Sequence, residues 1–250
     1  MSAGHVFRYL VPDAAGAGAT VALAADDGRH LTRVVRRGPG DRLEVFDGRG
    51  GLWEAEVVDA GPPVRVRLGA PRAAPPELPL RLCVALLDSA RLDLVVEKAV
   101  ELGVAECVVM TTARVRRAPG ADAWRRRGAR LERLVAAASR QCGRPRLMPV
   151  RGLVPFAAIV AETAPGTGFL VDPRAGVALD AAARAAGAPQ GAWTIAVGPE
   201  AGFAPEEADA ARAAGWRACA LGPRVLRAET AAIAAAVIAG AAAGGFGAGT

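Results

Sequence analysis

The stretch WTIAVGPEAGFAPEE, residues 193–207, decides how the chain is read. A run rich in apolar residues ends in Gly198-Pro199-Glu200-Ala201-Gly202, and Pro205 with Glu206 and Glu207 then opens a helix. Proline at a first helical position gives up an N–H that the helix would leave unpaired, and acids in the first turn suit the positive end of the helix dipole. Strand, glycine-bearing loop and helix in that order make half of a βαβ unit, and the glycines let backbone approach a ligand at the strand's carboxyl end. The loop matches neither GxGxxG nor GxxxxGK[ST], so it points to neither a dinucleotide nor a nucleoside triphosphate. A similar unit follows in ALGPRVLRAETAAIAAAVIAG, residues 220–240. There a strand ends at Leu221-Gly222, a loop carries Arg224 and Arg227, and Glu229-Thr230 open an Ala-rich helix.

Working outward, the same alternation runs back to residue 80. LRLCVALLD (80–88) is the nearly continuous apolar run of a strand buried on both faces. Residues 91–102 place Leu92, Val95, Val96, Ala99 and Leu102 on one helical face, and Gly103 ends the helix. Strands are expected at 106–111, near 146–150, at 168–172, 193–198 and 216–222. Helices are expected at about 122–142, 153–162, 177–187, 205–214 and 229–243. Such alternation means an α/β fold with a parallel sheet. Residues 6–69 read differently, as short β runs: VFRYLV (6–11), RLEVFD (42–47), LWEAEVVDA (52–60) and VRVRLG (64–69). One short helix falls within 26–37, and the composition is that of a small β-barrel. The Pro-rich APRAAPPELP (70–79) joins the two regions, giving expected domains of 1–72 and 73–250.

The net charge of +6 is unevenly spread. Residues 114–146 hold eleven arginines against Asp122 and Glu132, which accounts for the whole excess, while Lys98 is the only lysine. On the expected 122–142 helix, Arg126, Arg130, Arg133 and Arg140 share one face, opposite Leu131, Val135, Ala138 and Cys142. An arginine face with almost no interleaved acids suits the phosphates of RNA or DNA, because each planar fork can grip two oxygens. In the barrel region Arg33, Arg36 and Arg37 on the helix, and Arg65 and Arg67 on a strand face, are open to two readings, RNA contact or solubilising charge. His30 and the four tryptophans read as structural. The first ten residues lack a signal-peptide pattern, and the weakly apolar 231–243 is too short to span a bilayer. Cys83, Cys107, Cys142 and Cys219 are far apart and there are two histidines, so neither a metal site nor a disulfide framework is expected. A cytoplasmic protein with reduced thiols fits.

The two loops together, Gly198-Pro199-Glu200-Ala201-Gly202 followed by LGPRVLRAETA, resemble the signature of the RsmE family, bacterial 16S ribosomal RNA (uracil-N3) methyltransferases of the SPOUT superfamily. RLDLVVEKAVELGV (91–104) is similar to that family's helix through Lys98, Glu101, Leu102 and Gly103. RQCGRPRLMPV (140–150) is similar to its Gln-x-x-Arg…Pro stretch through Gln141, Arg144 and Pro149, and HLTRVVRRGPGDRLEVFDGRGG resembles its small RNA-binding domain. Four positions depart from the family pattern: Ala201 stands for Gly, Ala228 for Thr, Asp88 for Lys and Arg140 for an acid.

The resemblance implies a PUA-like β-barrel ahead of a SPOUT α/β domain with a C-terminal trefoil knot, a homodimer, and S-adenosylmethionine as methyl donor. Main-chain groups of strand-end loops can bind its adenine. By position the candidates are Gly198, Glu200, Gly202, Leu221, Gly222 and Leu226, with Leu170 or Val171 as an apolar wall. Methylating uracil N3 requires loss of its proton, and charge then develops on the base carbonyls. Arg227 is the candidate stabiliser of that charge. Glu200 is open to two readings, proton acceptor or loop anchor. The expected RNA contacts are Arg33, Arg36, Arg126, Arg130, Arg133, Arg140 and Arg144, and the expected partner is 16S rRNA in the 30S subunit, with no membrane and no metal. Another SPOUT chemistry, such as ribose methylation, and a non-catalytic assembly factor are the competing readings.

Overall fold

The computed structural model describes residues 6–115, 118–187 and 191–246. Two compact units emerge, Met1–Pro75 with Ala136–Leu147, and Pro76–Val135 with Met148–Thr250.

The first unit is built on five strands: β1 (Arg8–Leu10), β2 (Thr20–Ala22), β3 (Arg42–Phe46), β4 (Leu52–Asp59) and β5 (Arg65–Pro71). Their order is β1-β3-β4-β5-β2. β1 runs parallel to β3 and the other pairs are antiparallel. The sheet curls into a half-barrel. Alternation works as the sequence suggests: Val64, Val66 and Leu68 are buried with Leu43, Val45 and Val57, while Arg65 and Arg67 are exposed. Helix α1 (Ala25–Arg29) runs on into a π-helical turn, His30–Val34, which inserts the fully buried Leu31 into this core. His30 Nδ1 lies 3.2 Å from the Tyr9 hydroxyl, a structural contact. β2 is an addition to the sequence reading, because three residues among Ala and Gly show no two-residue period. The segment Ala136–Leu147 also belongs here, held by an Arg140–Asp27 ion pair (3.4 Å) and by Leu147 N–H donating to Gly48 O (3.0 Å). A reading of local pattern had placed this segment beyond residue 72, because contacts over such separations leave no local trace.

The second unit is a six-stranded, all-parallel sheet ordered β11-β9-β10-β6-β7-β8. Its elements are β6 (Leu78–Ala85), α2 (Ser89–Glu101), β7 (Val104–Thr111), α3 (Ala121–Cys142), β8 (Val150–Pro155), α4 (Phe156–Glu162), β9 (Gly168–Val171), α5 (Leu179–Ala186), β10 (Trp193–Val197), α6 (Pro205–Ala213), β11 (Arg217–Cys219) and α7 (Ala228–Ala242). Helix α3 runs from this unit into the 136–147 segment of the first. The core packs Cys83, Val108, Met110, Phe156, Leu170, Phe203 and Trp216, with Phe156 edge-on to Trp216 at 5.7 Å. β8 lies later than the strand expected near 146–150, and α4 begins at Phe156 rather than 153. A register shift in the β7–β8 pairing and a positive φ at Leu153 (52°) extend the strand to Pro155, which cannot continue a helix backward. At Gly152 a Cβ would lie 1.8 Å from Trp124, so the indole of α3 rests directly on the β8 backbone.

Because the strands are parallel, the loops after their carboxyl ends gather on one side. β9 lies between β10 and β11 although the chain reaches it first. The loops after β9, β10 and β11 therefore meet, and those after β6 and β7 adjoin the β10 loop.

Candidate active site

The loops after β9, β10 and β11 enclose a cleft of about 260 Å³. Val171, Val197, Val225 and Leu226 give it apolar walls, Gly198 and Gly202 present backbone, and Asp172 and Arg174 supply charge. Gly202 has φ +71° and its N–H donates to Pro199 O at 2.7 Å, a tight turn in which a side chain would strain the backbone. Ala201 avoids the left-handed region, so the methyl group it carries in place of the family's glycine costs no backbone strain. Asp172 is 8% exposed and accepts from Arg174 N (2.9 Å), Nε (3.1 Å) and Nη2 (3.1 Å). Those bonds to Arg174 hold its carboxyl below the usual aspartate range, against the opposing effect of burial.

The cleft fits S-adenosylmethionine. Val171 and Leu226 can sandwich a flat base, and the N–H groups of Val225 and Leu226 make no hydrogen bond among the described residues. Asp172 presents a buried carboxylate to a cationic, hydroxyl-bearing ligand. Ala228, buried at the start of α7, closes the floor where the family has a threonine.

A larger groove of about 980 Å³ lies at the ends of β6, β7 and β10. Arg114, Pro199, Glu200 and Ala201 line both cavities. The groove also holds Asp88, Arg91 and Arg127. Asp88 caps α2 by accepting from Arg91 N–H (3.1 Å) and pairs with Arg91 Nε (3.0 Å). Arg91 also pairs with Glu200, and Arg114 donates to the Ala201 carbonyl, so two arginines grip the β10 loop. Glu207 adds a third tie, accepting from Ala113 N–H (2.8 Å) and Ala204 N–H (2.9 Å). Arg127 donates to Leu87 O (2.8 Å) and lies 5.9 Å from the centre of the Trp124 ring.

The structure brings Val171, Gly198, Glu200, Gly202 and Leu226 together around the small cleft. Leu170 is not with them: strand alternation turns it into the core, 1% exposed, beside Phe203 and Ala208. Leu221 and Gly222 lie on the β11 loop outside the lining, and so does Arg227, exposed at the N-cap of α7. Arg126, Arg130 and Arg133 are exposed on α3, Arg130 pairing with Asp93. Arg33 and Arg36 are exposed in the first unit. Two expected RNA contacts face inward instead. Arg144, two residues past the end of α3 at Cys142, is 3% exposed. Arg140 is half-buried and pairs with Asp27 at 3.4 Å. Arg116 and Arg117, counted in the basic segment, lie outside the described residues. Lys98 is an α2 surface residue between Glu97 and Glu101, both at 2.8 Å, whose hydrogen bonds push its amine up to about 12. Sequence reasoning missed Arg91, Arg114 and Arg127, which only the strand order assembles.

A parallel sheet with a small apolar cleft beside an arginine-lined groove suits a protein that holds a small ligand next to a polyanion. Residues 74–240 match the RNA methyltransferase domain family, and residues 23–63 the RNA methyltransferase PUA domain. Ribosomal RNA small subunit methyltransferase E of Mycobacterium bovis is 34% identical over 228 residues, 86% of this chain and 84% of that protein. The Synechocystis protein of the same name is 30% identical over 222 residues, 85% of this chain and 70% of that protein. Among solved structures, ribosomal RNA small subunit methyltransferase E from Neisseria gonorrhoeae bound to S-adenosyl methionine superposes with a TM-score of 0.81 at 27% identity, covering 95% of this chain and 98% of that one. A Legionella pneumophila protein in complex with SAM gives 0.83, also at 27% identity, covering 95% and 98%. The chain belongs to the ribosomal RNA small subunit methyltransferase E family, and is an S-adenosylmethionine-dependent RNA methyltransferase.

Proposed function

We propose that the protein transfers the methyl group of S-adenosylmethionine to N3 of a uridine in 16S ribosomal RNA, acting on the 30S subunit in the cytoplasm. The observation that carries this reading is the wall shared by the two cavities. Pro199, Glu200 and Ala201 face the nucleoside-sized cleft on one side and the arginine-lined groove on the other, so donor and acceptor meet across one loop. The names of the relatives supply the 16S subunit and the family resemblance the N3 position.

When bound, the cofactor supplies an electrophilic methyl group. The protein's own share is positioning, which can supply a large part of the rate. Gly198, Gly202 and Leu226 with Val171 hold the nucleoside end, and Asp172 its cationic or hydroxyl groups. Glu200, already paired with Arg91, acts as an anchor for the β10 loop. Arg126, Arg130 and Arg133 on α3, with Arg33 and Arg36, bind RNA phosphates. Residues 1–72, with which 136–147 pack, serve as the RNA-binding domain and the rest of 73–250 as the catalytic one. The reading includes a homodimer: Leu94 on α2 and Val237 on α7, helices that pack together, are each 41% exposed and suit cover by a second copy. It also includes the trefoil knot, with which the placement of β9 between β10 and β11 is consistent.

The test is nucleoside mass spectrometry of 16S RNA from a strain lacking the gene. Loss of 3-methyluridine is expected. Loss of a ribose methyl group, or of no modification, would reject the assignment.

A further inference from the structure

We infer that Arg114 stabilises the negative charge that develops on the target uracil, a role that rests on the function proposed above. Among the described residues, Arg114 is the one cation of the four that line both cavities. Its guanidinium donates to the Ala201 carbonyl, which fixes it at the boundary where a methyl group must cross. Arg227, the candidate from sequence, is exposed as Arg114 is, but lines neither cavity.

The charges around the groove support the assignment. Its lining carboxylates are Asp88 and Glu200, and both are bound to Arg91. Arg91 is thereby shared between two carboxylates. Arg114 donates to a neutral carbonyl, and no carboxylate among the described residues pairs with it. Arg127 is also carbonyl-held, at Leu87 O (2.8 Å), but lines the groove alone and not the cleft.

The chemistry balances without a protein base. The N3–H bond of uridine breaks first, its proton leaving to water, and the electron pair stays on the ring, spread over N3, O2 and O4. The N3 lone pair then forms the bond to the methyl carbon while the pair of the methyl–sulfur bond returns to sulfur, leaving a neutral thioether. A fixed guanidinium beside the ring favours the anion and so brings its formation to lower pH.

Single-turnover methyl transfer to 30S subunits, followed from about pH 6 to pH 10, tests this with Arg114→Gln, Arg114→Lys and Arg227→Gln. Cofactor affinity is measured in parallel by calorimetry without RNA. For the wild type, the rate rises with pH and levels off. For Arg114→Gln, the rate near neutral pH falls about 10²–10³-fold, the deficit closes as pH rises, and the bend moves up by about 1–3 units. Arg114→Lys lies between, and Arg227→Gln keeps the wild-type bend. Both substrates are kept saturating, so any loss of cofactor affinity that follows from losing the tie between Arg114 and the Ala201 carbonyl lowers the rate without moving the bend. If Arg114 served only to hold the β10 loop, Arg114→Gln would lower the rate equally at every pH and leave the bend in place, and that result overturns the inference. A bend that moves in Arg227→Gln and not in Arg114→Gln does the same. A wild-type protein that leaves uridine N3 unmethylated overturns the function reading, and this inference with it.

Discussion

The cleft after β9, β10 and β11 and the groove after β6 and β7 sit side by side but are made of different materials. The cleft has apolar walls, glycine backbone and one buried carboxylate tied down by Arg174. The groove is roughly four times larger and offers arginines, two of them held only by carbonyls. A small ligand of fixed shape needs the first kind of site, where close backbone approach and desolvation give selectivity. A flexible polyanion needs the second, where charge binds without demanding one shape. The β10 loop belongs to both, and Arg91, Arg114 and Glu207 clamp it from the groove side.

Damage to either site should therefore separate cofactor binding from RNA binding. The largest effect is expected from Gly202→Val. A β-branched residue at φ +71° costs about 1–3 kcal/mol of backbone strain, so cofactor affinity by calorimetry should fall roughly 10- to 100-fold while RNA affinity holds. Equal loss of both would dissolve the distinction. Next, Arg126, Arg130 and Arg133 changed together to Gln should weaken RNA binding and flatten the dependence of log K on log salt by about 2–3, leaving cofactor affinity alone. An unchanged slope would remove α3 from the RNA surface.

Gly152→Ala sharpens the comparison from the fold side. Its methyl group would collide with Trp124, against which Arg127 lies, so thermal unfolding should show a loss of about 1–3 kcal/mol. The surviving protein should lose RNA affinity before cofactor affinity. The smallest effect is a pH dependence. Hydrogen bonds from Arg174 lower the carboxyl of Asp172 in the folded protein, so its contribution is complete above the ordinary aspartate value and is lost as pH falls through the lowered one. Cofactor affinity should stay level from about pH 8 to pH 5 and drop only below about pH 4. A drop between pH 7 and pH 5 would assign the control to another group.

Much of the architecture was readable because hydrophobic runs report burial directly. LRLCVALLD and WTIAVG could only be strands covered on both faces, and glycines at their ends marked where a ligand approaches. Of the alternatives Leu170 and Val171, Val171 lines the cleft and Leu170 turns into the core, because neighbours on a strand face opposite ways. Arg144, named from the Gln-x-x-Arg…Pro stretch, is buried just past the end of α3, which a linear motif does not report. Arg91 and Arg114 were out of reach for a different reason. Their partners on the β10 loop lie 109 and 87 residues away, joined only because β10 pairs with β6. No periodicity carries that information, and the charge map drew attention to α3 while the groove beside it held the more telling arginines.

The central claim, that the two cavities bring a methyl donor and a uridine together across one loop, is tested most directly by methyl transfer with purified components. The protein is incubated with labelled S-adenosylmethionine and 30S subunits lacking the modification, and the RNA is digested to nucleosides and resolved by mass spectrometry. Label confined to 3-methyluridine is the result expected. Label on a ribose, on another base, or nowhere despite measurable cofactor binding would contradict it.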